Sequence, residues 1–343
     1  MAYDAILLVS FGGPDGPEDV IPFLENVLRG RPVPRSRLLE VSEHYLAHGG
    51  ISPINEQNKA LIKALRSRMA ESDLHIPIFW GNRNWHPTIP AAIEEMQKAG
   101  VKRFLALITS AYSSYSGCRQ YRENINGALE NSGSALAYDK VRVWYNHPLW
   151  IKTLVDRYQA ALARVPEHRR HATTTAFTAH SIPDSMSRNC NYQKQLEETC
   201  QLVADAAGIG HWKLVYQSRS GRPQDPWLAP DICDHLTSLA TEGHSDVIIH
   251  PIGFISDHME VIFDLDTEAQ SLGADLGLNV IRAETAGLHP AFLDMLVELI
   301  GERLDCSLPR RAIGASGPSH ATCPKNCCLP AARPPSRPPA ASA

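Results

Sequence analysis

The sequence predicts an α/β protein built from two four-stranded parallel sheets, each flanked by helices. Three observations carry that expectation. Its β-rich runs are apolar without a break rather than alternating, as in strands buried on both faces. Longer amphipathic stretches separate those runs almost from end to end, as helical crossovers do. A length of 343 residues at 43% hydrophobic content is enough for two ordinary cores.

In chain order, strands are expected at Ala5–Phe11, Ile76–Trp80, Phe104–Ser110 and Val141–Tyr145, then at Thr173–Ala179, Leu214–Gln217, Asp246–Pro251 and Asn279–Ala283. Helical spacing marks Asn55–Ser72, Pro90–Ala99, Leu149–Val165, Tyr192–Ala207 and Ser256–Leu272; another helix begins near Pro17, and Ala291–Leu304 closes the globular part. Eight strands divide four and four, with the change near residues 146–150, so lobes of 1–148 and 149–306 are expected. Residues 307–343 are rich in Pro, Ala, Ser and Arg. Such a segment cannot bury enough surface to offset the entropy of ordering. It is expected to be a mobile tail except where its cysteines are tied down.

Composition excludes several classes. With 33 Lys+Arg against 37 Asp+Glu, the net charge of −4 leaves no basic footprint for nucleic acid. No apolar run approaches the ~20 residues of a membrane span. Met1-Ala2-Tyr3-Asp4 leads straight into a strand, without the basic and long apolar regions of a signal peptide. A cytoplasmic, monomeric enzyme or binding protein is the expectation. In that setting the eight cysteines should stay reduced. Cys118, Cys190, Cys200, Cys233 and Cys306 are scattered, whereas Cys323, Cys327 and Cys328 crowd together in the tail.

Ligands of open parallel sheets sit beyond the carboxyl ends of the strands. Four segments fall there: Phe11-Gly12-Gly13-Pro14, Thr109–Tyr121, Ala179-His180-Ser181-Ile182-Pro183 and Gly253–Asp266. The first reads as a tight turn that lets something approach the backbone, ahead of a phosphate loop, because neither G-x-G-x-x-G nor the P-loop spacing is present. His180 ends a strand, and an imidazole there can take a proton or bind a metal. On a helix, Glu260, Asp264 and Glu268 fall at i, i+4 and i+8, one face of like charges. That face is either solvated or a track that attracts a divalent cation and passes protons, since crowded carboxylates raise one another's pKa. His258 and Glu260 add nitrogen and oxygen donors suited to Fe²⁺.

Taken in order, the phrases Leu7–Pro14, Gly50-Ile51-Ser52-Pro53-Ile54-Asn55, Ser113–Tyr121, Phe177–Pro183, Tyr216–Gly221, Pro226-Trp227-Leu228 and Pro251–Glu260 resemble the ferrochelatase family over residues 3–305. Phe23–Val27 and Gly81-Asn82-Arg83-Asn84-Trp85 are most similar to its actinobacterial branch, associated with coproporphyrin III rather than protoporphyrin IX. The resemblance implies two Rossmann-like, chelatase-type lobes with a porphyrin cleft between them. It implies His180 and Glu260 as ligands of the incoming Fe²⁺, His258 as a second site histidine, and Asp264 and Glu268 as the acidic track. Ser52 and Tyr121 would hold the tetrapyrrole. Phe11 would give an apolar contact where some relatives carry tyrosine. Arg29, with Arg31, lies near a family arginine that meets propionates.

Metallation then requires binding that ruffles the macrocycle, exchange of protein and water ligands for pyrrole nitrogens, and loss of two protons. His180 is the simplest first acceptor, with Glu260, Asp264 and Glu268 as relay, or the acidic side takes the protons while metal arrives at the opposite face. The resemblance further implies a [2Fe–2S] cluster on Cys118, Cys323, Cys327 and Cys328. Cys306 is an alternative ligand, zinc the competing metal, and idle thiols the remaining reading. The alternatives to a coproporphyrin III enzyme are a protoporphyrin IX ferrochelatase, a related tetrapyrrole chelatase, a haem or porphyrin carrier, and an iron–sulfur sensor.

Overall fold

A computed structural model describes residues 2–30, 33–220 and 224–331. The first sheet is made of β1 (Ala5–Ser10), β2 (Ile78–Asn82), β3 (Arg103–Ile108) and β4 (Ala137–Lys140), in the order β2-β1-β3-β4. The second holds β5 (Thr174–His180), β6 (Trp212–Gln217), β7 (Asp246–His250) and β8 (Asn279–Arg282), in the order β6-β5-β7-β8. All pairings are parallel. The two lobes therefore repeat one topology, and in each the first strand lies where the winding reverses. That switch point is where such sheets bind ligands.

The central strands are legible because they are buried on both faces. Every residue of β1 is buried, and all of β5 except His180 at its carboxyl end. The first lobe's helices are α1 (Val20–Val27), α2 (Arg35–Ala47), α3 (Ile54–Glu71), α4 (Ile89–Lys98) and α5 (Gln120–Asn131). The second lobe has α6 (Pro148–Leu162), α7 (Asp184–Ser187), α8 (Tyr192–Ala207), α9 (Ile232–Thr241), α10 (Met259–Val261), α11 (Gln270–Asp275) and α12 (Pro290–Leu304). Spacing alone missed α2, α5, α9 and the four-residue α7. Trp144, Trp150 and Phe292 sit in a core shared by α3, α6, α8 and α12. Beside it Arg142 makes a bidentate ion pair with Glu302 at 2.8 Å on both arms, nearly sealed from water. Among the described residues no helix is long and apolar enough to cross a membrane.

Three expectations need correction. The fourth strand is Ala137–Lys140, paired with Arg103–Ala106, and not Val141–Tyr145. The edge strand is short and partly polar, while the apolar run after it is buried in the shared core, Val143, Trp144 and Tyr145 included. Second, Ser256–Leu272 is not one α-helix. A short turn, α10, leads into a π-helix over Ile262–Ala269 before α11 resumes regular winding.

Third, residues 307–331 are not loose. Side chains of the folded lobes hold this extended strap: Arg142 donates to the Arg311 carbonyl, Asn146 to Gly317, Arg119 to Lys325 and Cys327, and Asn189 to Pro330, all at 2.8–3.0 Å. Composition signals the lack of an apolar core in such a segment. It does not reveal partners waiting elsewhere. Residues 332–343, like Arg31 and Gly221, lie outside the described residues.

Candidate active site

Strand-end segments of the two lobes meet at a cleft: the Asp257 amide donates to Gln57 at 2.9 Å, and the charge of Glu260 reaches Tyr45 and Tyr121. On the first-lobe side, Gly12 has φ +80°, and a Cβ there would come within 2.8 Å of Asn82. A Cβ on Gly13 would lie 2.5 Å from the Cβ of Ser52. The turn is thus tight because another segment presses on it, as the steric reading requires. The Ser52 amide donates to the Pro14 carbonyl at 2.9 Å, and Asn55 reaches Gly13 and Asp15 at 2.8 and 3.0 Å. Phe11 packs edge-on against Phe23, with ring centroids 6.2 Å apart. The Arg83 guanidinium lies 5.8 Å from both the Phe11 and the Tyr121 rings, within cation–π reach. Arg83 stands inside the motif Gly81–Trp85, but its placement between two rings could not be read from spacing. Arg29 is exposed after α1 and donates to Asn26 at 2.5 Å, and Asn26 in turn donates to the Asn84 carbonyl at 3.3 Å.

The opposing wall belongs to the second lobe. His180 Nδ1 donates to the Ser181 carbonyl, which leaves Nε2 facing Glu260 Oε1 at 3.4 Å. The Tyr192 hydroxyl donates to the His180 carbonyl at 3.1 Å and steadies the strand end. His258 Nδ1 lies 3.9 Å from the other oxygen of Glu260. Gln217 donates to the Glu260 carbonyl at 2.7 Å, and the Ser218 hydroxyl donates to Asp264. Gln217 and Ser218 lie in the motif Tyr216–Gly221, but spacing gave neither of them a role. Gly253 lets this wall close, since a Cβ there would meet Ala179 Cα at 2.7 Å.

These contacts pull the ionisable groups apart. Burial opposes a charge on His180, but the Glu260 carboxylate outweighs it and lifts the imidazole to about 9. Burial would raise Glu260, yet the His180 cation holds it down at about 2. Burial lowers His258. It pushes Asp264 up to about 7, against the Ser218 hydrogen bond and with help from Glu260 and Glu268. Burial also raises Glu268, moderated by His44. Burial and the charge of Glu260 together raise Tyr45, and burial takes Tyr121 to about 12 despite nearby Arg83. Both phenols sense Glu260 across the cleft. The carboxylates run from half-buried Glu260 to partly buried Asp264 and exposed Glu268, a file leading to the surface.

Across the lobe boundary, His44 stacks on Phe263 at 3.8 Å, and His48 Nε2 lies 3.1 Å from the Thr267 hydroxyl. These contacts from α2 to the π-helix had no sequence signal, because they join segments over 200 residues apart.

The second constellation is formed by the strap. Cys118 lies in a short π-helical turn, Tyr115–Arg119, and its thiol interacts with those of Cys323 and Cys328. Cys323 also meets Cys327, and the sulfurs of Cys327 and Cys328 are 3.4 Å apart, which closes a ring of four. Hydrogen bonds from neighbouring thiols lower Cys118 and Cys327, while those two raise Cys323 and Cys328 as donors. Cys328 has φ +55°, an uncommon conformation that lets adjacent cysteines serve one centre. His320 joins Cys323 and Cys327 with ligand atoms within 4.8 Å of one another, a possible Cys/His metal site. Cys306 is exposed beyond α12 and outside the ring.

Comparison with known proteins bears on both lobes together. Two solved structures of the chelatase SirB share the fold: SirB from Bacillus subtilis with Fe³⁺, at TM-score 0.57, covers 88% of this chain and 96% of its own. The sirohydrochlorin chelatase SirB from Bacillus subtilis subspecies spizizenii with cobalt, at TM-score 0.53, covers 87% and 94%. At 14% identity each bears on the fold alone. A ferrochelatase of Rhodopirellula baltica is 51% identical over 341 residues, covering 99% of this chain and 96% of its own. A coproporphyrin III ferrochelatase of Streptomyces coelicolor is 48% identical over 364 residues, with the same coverage of 99% and 96%. The family model Ferrochelatase matches residues 3–304, which takes in both sheets and every strand-end segment of the cleft; the chain belongs to the ferrochelatase family, enzymes that insert iron into a porphyrin.

Proposed function

We propose that this ferrochelatase inserts Fe²⁺ into coproporphyrin III, giving Fe-coproporphyrin III and two protons. The observation that carries the site assignment is the His180–Glu260 pair, 3.4 Å apart, whose carboxylate charge reaches Tyr45 and Tyr121 of the other lobe. Relatives named coproporphyrin III ferrochelatase support the substrate, at 42–48% identity. Coproporphyrin III carries four propionates against two on protoporphyrin IX, and Arg83 and Ser52 offer polar partners on the same wall. Phe11 gives an apolar contact and no axial oxygen. We take the lobes to be 1–148 and 149–306 with the strap from 307, acting as a cytoplasmic monomer.

In the free cleft His180 keeps its proton against Glu260. Iron binding to the pair must expel that proton, so His180 is a poor first acceptor for a pyrrole proton. Asp264, held near neutrality, is better matched to accept and release protons at working pH. Glu268 then passes them outward. His258, kept neutral by burial, lies beside Glu260 as a further donor atom.

The four thiols fit a [2Fe–2S] cluster, whose ligand set is four thiolates. Cys118, Cys323, Cys327 and Cys328 would hold it, with Arg119 and Asn189 fixing the strap; when bound, the cluster supplies one-electron chemistry. His320 beside Cys327, at 3.8 Å, also suits zinc. Protein purified without oxygen is expected to be brown, with its colour lost in Cys323→Ser. Colourless protein carrying zinc would reject the cluster.

Anaerobic spectra with Fe²⁺ and each porphyrin test the activity. Rapid metallation of coproporphyrin III, slower metallation of protoporphyrin IX, and loss of turnover in folded His180→Ala and Glu260→Ala are expected. Equal rates with both porphyrins would overturn the substrate assignment, and near-normal rates in both variants would overturn the site.

A further inference from the structure

The π-helix needs an external restraint. Such windings are rare and occur mostly as single turns at functional sites. Here the winding sets which way Asp264 points, and on the cleft side only Gln217 and Ser218 touch that carboxylate among the described residues. The restraint comes from behind. Arg282, the last residue of β8, places Nε 2.5 Å from Asp266 Oδ1 and a terminal nitrogen 2.8 Å from Oδ2. Its other terminal nitrogen reaches Asp257 at 3.1 Å.

Those two carboxylates bracket the chemistry. Asp257 immediately precedes His258, and Asp266 lies midway between Asp264 and Glu268 on the opposite side of the winding. One guanidinium thus grips the segment 257–266 at both ends. Asp257 is fixed further: its carboxylate accepts from the Thr285 hydroxyl at 3.2 Å, and its amide donates to Gln57 of the other lobe at 2.9 Å. The Arg282 side chain is only 15% exposed, so this fork is held within the protein and is not a loose surface pair.

We infer that Arg282 is a positioning residue: its fork on Asp257 and Asp266 fixes the rotational phase of the π-helix, so that Glu260 converges on the incoming metal with His180 and Asp264 faces Ser218 beside them. Lysine cannot replace it, because a single ammonium lacks the geometry to hold two carboxylates from a strand end. The inference deepens the reading of Glu260 as a metal ligand and rests on it.

The sign of the effect separates positioning from simple electrostatics. Deleting a cation near an acidic segment should tighten binding of another cation. Loss of register should weaken it. Mn²⁺ is the probe, since carboxylate and imidazole donors take it and soft thiols select against it. Binding is read by electron paramagnetic resonance on the full chain without porphyrin. In Arg282→Gln, Mn²⁺ affinity is expected to fall at least tenfold and KM for Fe²⁺ to rise in parallel, while KM for porphyrin stays within twofold. Arg282→Lys should recover only part. The double variant Asp266→Asn/Arg282→Gln removes both charges of the main pair, leaves Asp257 bonded to the Thr285 hydroxyl, and should show the same loss if the single variant fails to fold. Unchanged or tighter Mn²⁺ binding in the folded variants would overturn the inference. Glu260→Ala runs alongside. If it weakens Mn²⁺ and Arg282→Gln does not, only the positioning role fails; if Glu260→Ala has no effect, the metal assignment fails and takes this inference with it.

Discussion

Replacing Glu260 by glutamine keeps the shape of the His180 partner and removes its charge. The contact is 3.4 Å, and the carboxylate lifts the imidazole from 6.5 to about 9. Taken in full, that is ~3.4 kcal/mol of preference for the charged imidazole. The pair is not sealed: the side chains are 31% and 45% exposed, so water and salt reduce the coupling to ~1–2 kcal/mol. The His180 titration midpoint should therefore fall by about 0.7 to 1.5 pH units in Glu260→Gln. Nitrogen-15 histidine spectra through a pH series read this directly. Stability follows with a definite sign. A raised histidine pKa contributes fully below 6.5 and is lost as pH rises through about 9. The same pair, read from the lowered Glu260, contributes above 4.5 and is lost as pH falls through about 2. Wild type should thus exceed the variant by ~1–2 kcal/mol between pH 4.5 and 6.5, and the gap should close toward pH 9. An unmoved His180 midpoint in a folded variant would refute the pairing.

Two further outcomes concern the frame around the site. Glu302→Gln leaves the Arg142 guanidinium buried without its carboxylate and should cost ~3–5 kcal/mol in urea denaturation, whereas Arg142→Met/Glu302→Leu should recover most of it; a loss under 1 kcal/mol would show the pair to be well solvated. Gly13→Ala should raise KM for porphyrin several-fold and cost ~1–3 kcal/mol, because the new methyl must displace Ser52 and Ile54. Gly127→Ala, in α5 with nothing within 4 Å of the added Cβ, should be neutral or stabilising and serves as control.

The sequence disclosed most where cause and consequence are contiguous. The apolar runs of β1, β5 and β7 are visible because both faces of a central parallel strand are buried. His180 was found because it ends such a run just before Ser181-Ile182-Pro183. The fourth strand was misplaced for the converse reason: Ala137–Lys140 is an edge strand with little apolar surface, and the stronger signal next to it belongs to a different layer. The π-helix also escaped detection. The spacing of Glu260, Asp264 and Glu268 fits a regular helix, and what disturbs the winding is not local.

What spacing could not supply is the partner from another segment, and the chemistry of this site depends on such partners. Glu260 alone is an ordinary carboxylate; against His180, 80 residues away, it is held at about 2. Asp264 alone would be ionised at neutral pH; buried under Ser218 and beside Glu260 it sits near 7, where a proton relay is useful. The strap follows the same logic. Its Pro- and Ala-rich composition gives it no core, so its order must be imported from Arg119, Arg142, Asn146 and Asn189, and those contacts deliver three cysteines to Cys118. The strap and the cleft wall also share chain segments: Tyr121 follows Cys118 by three residues, and Asn189, which holds the strap, follows α7, the short helix after His180-Ser181-Ile182-Pro183.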